Sequence, residues 1–408
     1  MIRYFYKIGD IIHYIEENNN ELKSQTVREK SQIYGINYFE AQKDYTTDID
    51  GLIQYRNDFE KDAKQIEKQI NYKKYFNHDS AVYMVFKRYS SRAVSKIKFD
   101  NIVYKEFIYF ENCFNGALMT FDNKYKDKTI QCYGYDFSGY YPTLLAQSDF
   151  KFPFEQGKRK KIKKINFDKL EYGIYRVKIT CDSSEFKKIF AFNKSNLYTN
   201  YCLEFAHQNQ ETFNINIELI VDNDYNLIYW REDQLINSSE IFGDWYDNLK
   251  QLKDKYPKNK LVKKLTSSLW GYITKFKREF IEEDFYDLDV SELKDNTETE
   301  YKLIAEKRYK DETKPTQVRT VYEVVKSENP YTNSLARLKP FFVSYCRTFM
   351  GSLVLSENIL EKVIRTHTDN ITLTEEHNFT HLPYYPKTEE KTTGLITWRN
   401  VNKYEKEN

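Results

Sequence analysis

From Cys132 to Ala146 the sequence changes secondary-structure type within one short stretch. Cys132, Tyr133, Tyr135 and Phe137 are strand formers, Gly139 interrupts them, and Tyr141-Pro142 leads into an apolar segment of helical character, Thr143 to Ala146. Asp136 is therefore expected at the end of a strand, above a tight turn. A strand holds a carboxylate rigidly and backbone amides in a turn can face a phosphate, so the position suits a metal ligand beside an anion. A strand that simply ends in a turn is the other reading these residues allow.

With 408 residues the chain is long enough for two or three compact units. Its five cysteines are odd in number and scattered, with no Cys-x-x-Cys pair, which points away from a disulfide framework or a zinc site and toward a reducing, intracellular compartment. Met1 to Ile12 shows no export signal, and no run of about 18 apolar residues suggests a membrane span. The 63 basic and 61 acidic residues nearly cancel, so a nucleic-acid surface would have to come from segregated charge. The 36 Tyr and 28 Phe against 12 Gly fit AT-rich coding sequence, as in a virus or plasmid, and also base-stacking surfaces.

Residues 1–100 read as a mostly helical N-terminal region, with Ile11, Ile12 and Ile15 on one face and a charged run from Asn57 to Lys74. The pair Asp58-x-Glu60 lies among alternating charges with no apolar strand before it, which makes it a solvated helix face and not a proofreading metal site. Residues 101–240 mix strands and helices around Asp136. Within them Lys158 to Lys164 is basic at every position but Ile162, which reads as a solvated loop or as a grip on a phosphodiester backbone. Tyr172 to Ile179 reads as a strand, and Asp222 and Asp224 as a hairpin turn. Helical periodicity runs from Phe242 to Tyr256, breaks at Pro257 and resumes from Lys260 to Phe276, a helical hairpin over 241–276.

Residues 277–330 form a charged insertion, with Asp284, Asp287 and Asp289 as surface charge. In 331–408 a core helix carries Leu335, Leu338, Phe342, Tyr345, Phe349 and Leu353. Val363 to Leu373 then reads as strand, turn, strand around the tip His367-Thr368-Asp369-Asn370.

The run Asp136-Phe-Ser-Gly-Tyr-Tyr-Pro-Thr143 resembles motif A of family B DNA polymerases, an Asp, two residues, then Ser-Leu-Tyr-Pro-Ser. Phe114-Asn115-Gly116-Ala117 is similar to the Tyr-x-Gly-Gly/Ala run that precedes it in that family. Lys263-Lys-Leu-Thr-Ser-Ser-Leu-Trp-Gly271 resembles motif B, with Ser267 for the usual Asn and Trp270 for the usual Tyr. The tip His367 to Asn370 resembles motif C, Asp-Thr-Asp-Ser, with His367 in place of the first Asp. Asn402-Lys403-Tyr404 resembles the Lys-x-Tyr palm segment. Motif spacing and the insertion between the second and third motifs are most like the protein-primed virus and plasmid branch.

The resemblance implies an α+β palm, an antiparallel sheet with packed helices, and a helical-hairpin fingers insertion. It implies two Mg2+ ions, with Mn2+ as a substitute, held by Asp136, Asp369 and the carbonyl of Phe137. Lys263 would neutralise the triphosphate, while Phe137, Gly139, Tyr140, Tyr141 and Ser267 would line the nucleotide site. Phe114, Gly116, Ala117, Trp270, Gly271, Thr368, Lys403 and Tyr404 would follow the template and primer. Primer-template DNA, deoxynucleoside triphosphates, and a terminal protein or a second subunit supplying a thumb are the implied partners. The proofreading domain has no counterpart in 1–100, and a thumb would have to follow Tyr404. With His367, these features keep open a second reading, a catalytically weakened homologue serving as a DNA-binding or scaffold subunit. A hydrolase using paired acids has no supporting cluster.

Overall fold

The computed structural model describes residues 2–8, 11–26, 37–41, 43–113, 116–222, 225–282, 301–310, 318–326, 328–379 and 387–407. Phe114, Asp224, Asp284, Asp287 and Asp289 lie outside the described residues. The chain divides into two compact units, one of Met1–Ile97, Leu145–Gln147 and Ser239–Ile273, the other of Lys98–Leu144, Ser148–Ser238 and Thr274–Asn408. Among the described residues no helix is long and apolar enough to cross a membrane.

The first unit begins with a sheet, not a helix. Its strands run in the order Asn19–Thr26, Ile11–Glu16, Ile2–Ile8, Asn37–Glu40, the last pair parallel and the others antiparallel. Ile12 packs with Phe5, Tyr14 and Tyr38, whereas Ile15 lies opposite Tyr4 in the strand register. The three-residue spacing that imitates a helical stripe thus belongs to a strand buried on both faces. Next comes the helix Ile49–Ile66, started by Asp48, whose carboxylate accepts from the Gly51 N–H at 2.7 Å, and anchored by buried Leu52, Tyr55, Phe59, Ala63 and Ile66.

Asp58 and Glu60 are not a solvated face, because each accepts a phenol hydrogen bond, Asp58 from Tyr45 and Glu60 from Tyr4, and Glu60 also pairs with Lys73. Behind them His78 on the helix His78–Val94 is buried between two phenols, Tyr55 at 2.8 Å from Nε2 and Tyr72 at 2.9 Å from Nδ1. Downstream, Ser238–Lys255 and Lys260–Ser267 form the expected helices. The second ends at Ser267 and is followed by the short helix Leu269–Ile273, so the single helix expected to run from Lys260 to Phe276 is two pieces.

The second unit is organised on a seven-stranded sheet whose main path is Tyr404–Lys406, Gly394–Trp398, Thr129–Asp136, Asn370–Leu373, Val363–His367, Met119–Phe121, with Lys387–Thr388 also pairing to Thr129–Asp136. Gly134 is required where the Thr392 segment crosses this strand, since a Cβ there would lie 2.7 Å from the Thr392 Cβ. The helix Lys339–Ser356 has Pro340 in its first turn and buries Phe341, Phe342, Cys346, Met350 and Leu353, while Leu335 and Leu338, expected in it, lie in the 3-10 turn Ser334–Leu338 just before. A five-stranded sheet contains Leu197–Thr199, Tyr172–Thr180, Leu227–Trp230 and the edge strand Lys158–Lys160, with Asn216–Leu219 on the other part of Tyr172–Thr180. Asp222 beside it is held by a two-point ion pair from Arg176 at 3.0 and 2.6 Å. The charged insertion supplies a three-stranded antiparallel sheet, Arg278–Glu282, Val318–Lys326, Tyr301–Lys310.

One buried ion pair ties the core of this unit. Arg337, fully buried, donates to Glu106 at 2.8 Å and to the carbonyls of Asp100 and Asn101 at 2.9 and 3.0 Å, and Glu106 also accepts from the Gly157 N–H. Removing only one partner strands a buried charge, so Arg337→Ala is expected to cost about 3 kcal/mol or more, read as a lowered urea midpoint. A loss below about 0.5 kcal/mol, the size of an ordinary surface change, would mean the pair is not structural.

Candidate active site

The strand Thr129–Asp136, interior to the second unit's sheet, delivers Asp136 to one end of it, and the hairpin Val363–His367, Asn370–Leu373 delivers Asp369. The register pairs Asn370 with Asp136, and the Phe137 N–H donates to the Asp369 carbonyl at 2.8 Å. Two carboxylates remote in sequence thereby share one sheet end. The hairpin turn is two residues, Thr368 and Asp369, because His367 pairs directly with Asn370. Thr368 has φ +60°, a conformation β-branched residues avoid, and its N–H is fixed to the Leu118 carbonyl at 2.9 Å. After Asp136 the chain turns through Gly139, φ +75°, which a glycine adopts without strain, into the helix Tyr140–Gln147.

Burial raises the Asp369 carboxyl above the ordinary carboxylate range; Glu389 adds to the rise, and its own backbone N–H and His367 oppose it. Glu389 reaches the site because Lys387–Thr388 pairs with the end of the Asp136 strand, and its carboxylate accepts from Asn370 Nδ2 at 2.8 Å and Thr392 Oγ1 at 3.0 Å. A partly buried carboxylate next to a second one is a place where a cation is stabilising, and an all-oxygen donor set suits a hard divalent ion. The residues fit Mg2+ or Mn2+ in that sense. Among the described residues no group of three or more His, Cys, Asp and Glu side chains is arranged to hold a metal. The Phe137 carbonyl accepts from the Tyr140 N–H at 3.0 Å, leaving one lone pair for a cation.

The two tyrosines after Gly139 part ways. Tyr140 is sealed in the core and its hydroxyl donates to the Cys346 carbonyl at 2.7 Å, so it is not a nucleotide contact as the sequence suggested. Tyr140→Phe is expected to cost about 1 kcal/mol of stability, with nucleotide affinity unchanged in a binding titration. Tyr141 is half-buried against Phe342, with its phenol pKa raised by burial first and then by Cys346 and Asp369. It stays within the electrostatic reach of the site.

On the other side, His367 Nε2 lies 3.0 Å from Asn402 Oδ1, which puts the turn Asn400–Lys403 against the hairpin tip. Lys403 is exposed there and Tyr404 packs on Trp398 at 4.8 Å between ring centres. Gly116, φ +71°, has its carbonyl gripped by Arg347 at 2.6 Å. With Ala117 it borders a cleft of about 580 Å3 that Met119, Phe192, Asn193 and Lys194 also line. Lys263, Ser267 and Gly271 in the first unit are exposed and Trp270 half-buried, while Leu261, Val262, Leu265 and Leu269 face inward. Sequence reasoning missed Glu389 and Arg347, which no motif-like run contains, while Asn402 was noted only as part of the run with Lys403 and Tyr404.

No family model matches the chain, and no curated protein matches it. Among solved structures it is similar to Phi29 DNA polymerase. With that enzyme complexed with primer-template DNA and incoming nucleotide substrates the TM-score is 0.58 at 14% identity, covering 88% of this chain and 59% of the other. With its complex with single-stranded DNA the TM-score is 0.57 at 13% identity, covering 93% and 61%. The chain therefore spans about three fifths of the length of the polymerase it matches. What the two share is the fold: this chain has a DNA-polymerase-like α+β architecture built on an antiparallel sheet.

Proposed function

We propose that the chain is a template-directed DNA polymerase that adds deoxynucleotides to a primer 3′-hydroxyl, in the replication of a viral or plasmid genome. The observation that carries this reading is the pairing of Asp136 with Asn370 and of the Phe137 N–H with the Asp369 carbonyl, which joins two carboxylates on a polymerase-like sheet. In the reaction the 3′-hydroxyl loses its proton to solvent as its oxygen forms a bond to the α-phosphorus, the bond from that phosphorus to the bridging oxygen breaks, and pyrophosphate leaves with the electron pair. Two bound divalent ions would lower the charge on the attacking and leaving oxygens.

Asp136 and Asp369 would hold those ions, Lys263 would neutralise the triphosphate, and Tyr141 would lie beneath the sugar. Gly116, Ala117 and Trp270 follow the template, and Thr368, Lys403 and Tyr404 the primer. A terminal protein is the priming partner this reading implies.

A second reading is a DNA-binding subunit of a replication complex with weakened catalysis. It is favoured by His367, which replaces an acid and spends its Nε2 on Asn402. Extension of a labelled primer by one nucleotide, with Mg2+ and separately with Mn2+, distinguishes them. Extension with either ion supports the polymerase; binding of primer-template without extension supports the subunit.

A further inference from the structure

The basic run Lys158 to Lys164 plays no part in the reading above, and it is built, not loose. Lys158–Lys160 is the edge strand of the five-stranded sheet, paired to Leu227–Trp230. Just beyond it, Asn226, fully buried, accepts from the Ile162 N–H at 2.8 Å and donates to the carbonyls of Ile162 and Ile220 at 2.9 and 3.1 Å. A buried amide that makes three backbone bonds fixes the course of the basic segment.

The charges on that segment are largely uncompensated. Glu171 pairs with Lys160. Lys158, Arg159, Lys161, Lys163 and Lys164 are exposed, and among the described residues none of them is in an ion pair. Holding like charges rigidly together opposes folding unless a polyanion covers them. Aromatic rings run alongside: the Arg159 guanidinium lies 4.9 Å from the Tyr225 ring centre and the Lys160 ammonium 4.5 Å from that of Tyr229. Tyr225 is 47% exposed, and its carbonyl is held by the Tyr109 hydroxyl at 2.8 Å, so its ring is presented from an anchored backbone.

We propose that this strip is a binding site for single-stranded nucleic acid, with Lys158, Arg159, Lys161 and Lys163 on the phosphodiester backbone and Tyr225 as a stacking platform for a base. Cations interleaved with an exposed aromatic fit a single strand, whose bases are free to stack, better than a duplex, whose bases are not. The inference deepens the polymerase reading by adding a strand contact outside the proposed catalytic centre.

The test is binding of a fluorescent oligothymidylate across a salt series, comparing the full chain with a variant carrying Lys158→Gln, Arg159→Gln, Lys161→Gln and Lys163→Gln. Each lost backbone contact lowers the slope of log affinity against log salt by about 0.7, so a fall of roughly 3 is expected. A second variant, Lys158→Arg with Lys161→Arg and Lys163→Arg, keeps the charge and should keep the slope. An unchanged slope in the glutamine variant overturns the proposal. So does a loss confined to blunt duplex of the same length, or an equal loss in the arginine variant, which would make the effect structural. Single-nucleotide extension at low salt and excess protein separates the two readings. A parent that extends nothing yet shows the slope change leaves the strip standing and removes the polymerase; a glutamine variant that still extends while losing the slope keeps both.

Discussion

Asp136→Ala and Asp369→Ala, each made alone, are expected to lower single-nucleotide primer extension by roughly a thousandfold or more. Two carboxylates are the minimum that can share two divalent ions, so removing either leaves the remaining one with an incomplete donor set. About 4 kcal/mol of lost transition-state stabilisation, the scale of one such metal contact, corresponds to roughly a thousandfold in rate. Stability should respond in the opposite sense at Asp369. Its carboxyl titrates above the ordinary range because it is partly buried and faces Glu389, so the folded chain holds that proton longer than the unfolded chain does. The contribution of Asp369 to stability is full at low pH and declines as pH rises from the ordinary carboxylate value through the raised one. At neutral pH Asp369→Asn should therefore be at least as stable as the parent in thermal unfolding while losing extension. If both aspartate variants extend at the parent's rate, the carboxylate pair is not the centre.

Acid should destabilise the first unit through a single buried histidine. His78, enclosed by Tyr55, Tyr72 and Phe39, has its pKa pushed down to about 3, mainly by burial and secondly by the Lys264 charge. A neutral imidazole between two phenols donates to one and accepts from the other, whereas an imidazolium has two donors and no acceptor. Below about pH 6.5 the unfolded chain takes up a proton there that the folded chain refuses, so the contribution of His78 is complete above that value and is lost as pH falls toward about 3. At ~1.4 kcal/mol per pH unit the loss reaches about 5 kcal/mol across this window. Urea midpoints of the parent and of His78→Gln, followed from pH 7 to pH 4, should converge as the pH falls. Parallel curves would show that the imidazole charges freely in the folded state.

The elements that carried the site were legible because each is specified by residues adjacent in sequence. Gly139 stops one period and starts another, and Val363 to Leu373 alternates around a polar tip, so the strand end at Asp136 and the hairpin at Asp369 needed no partner to be recognised. The core helix was legible for the same reason, although Leu335 and Leu338 fall in the 3-10 turn that precedes it. Strands buried on both faces lose that legibility, which is why Ile12 and Ile15 mimic a helix stripe.

Local sequence thus determined where a carboxylate is held, on which kind of element, and in what order the motif-like runs follow. Tertiary structure alone decided what else shares the site. Glu389 arrives only because Lys387 pairs with Asp136, and Asn402 reaches His367 only through the hairpin of Gly394–Trp398 with Tyr404–Lys406. Tyr140 and Tyr141 are the same residue type side by side, and the Cys346 carbonyl claims the first. Strand register and core packing are settled by many remote contacts acting together, and no short window of sequence contains them.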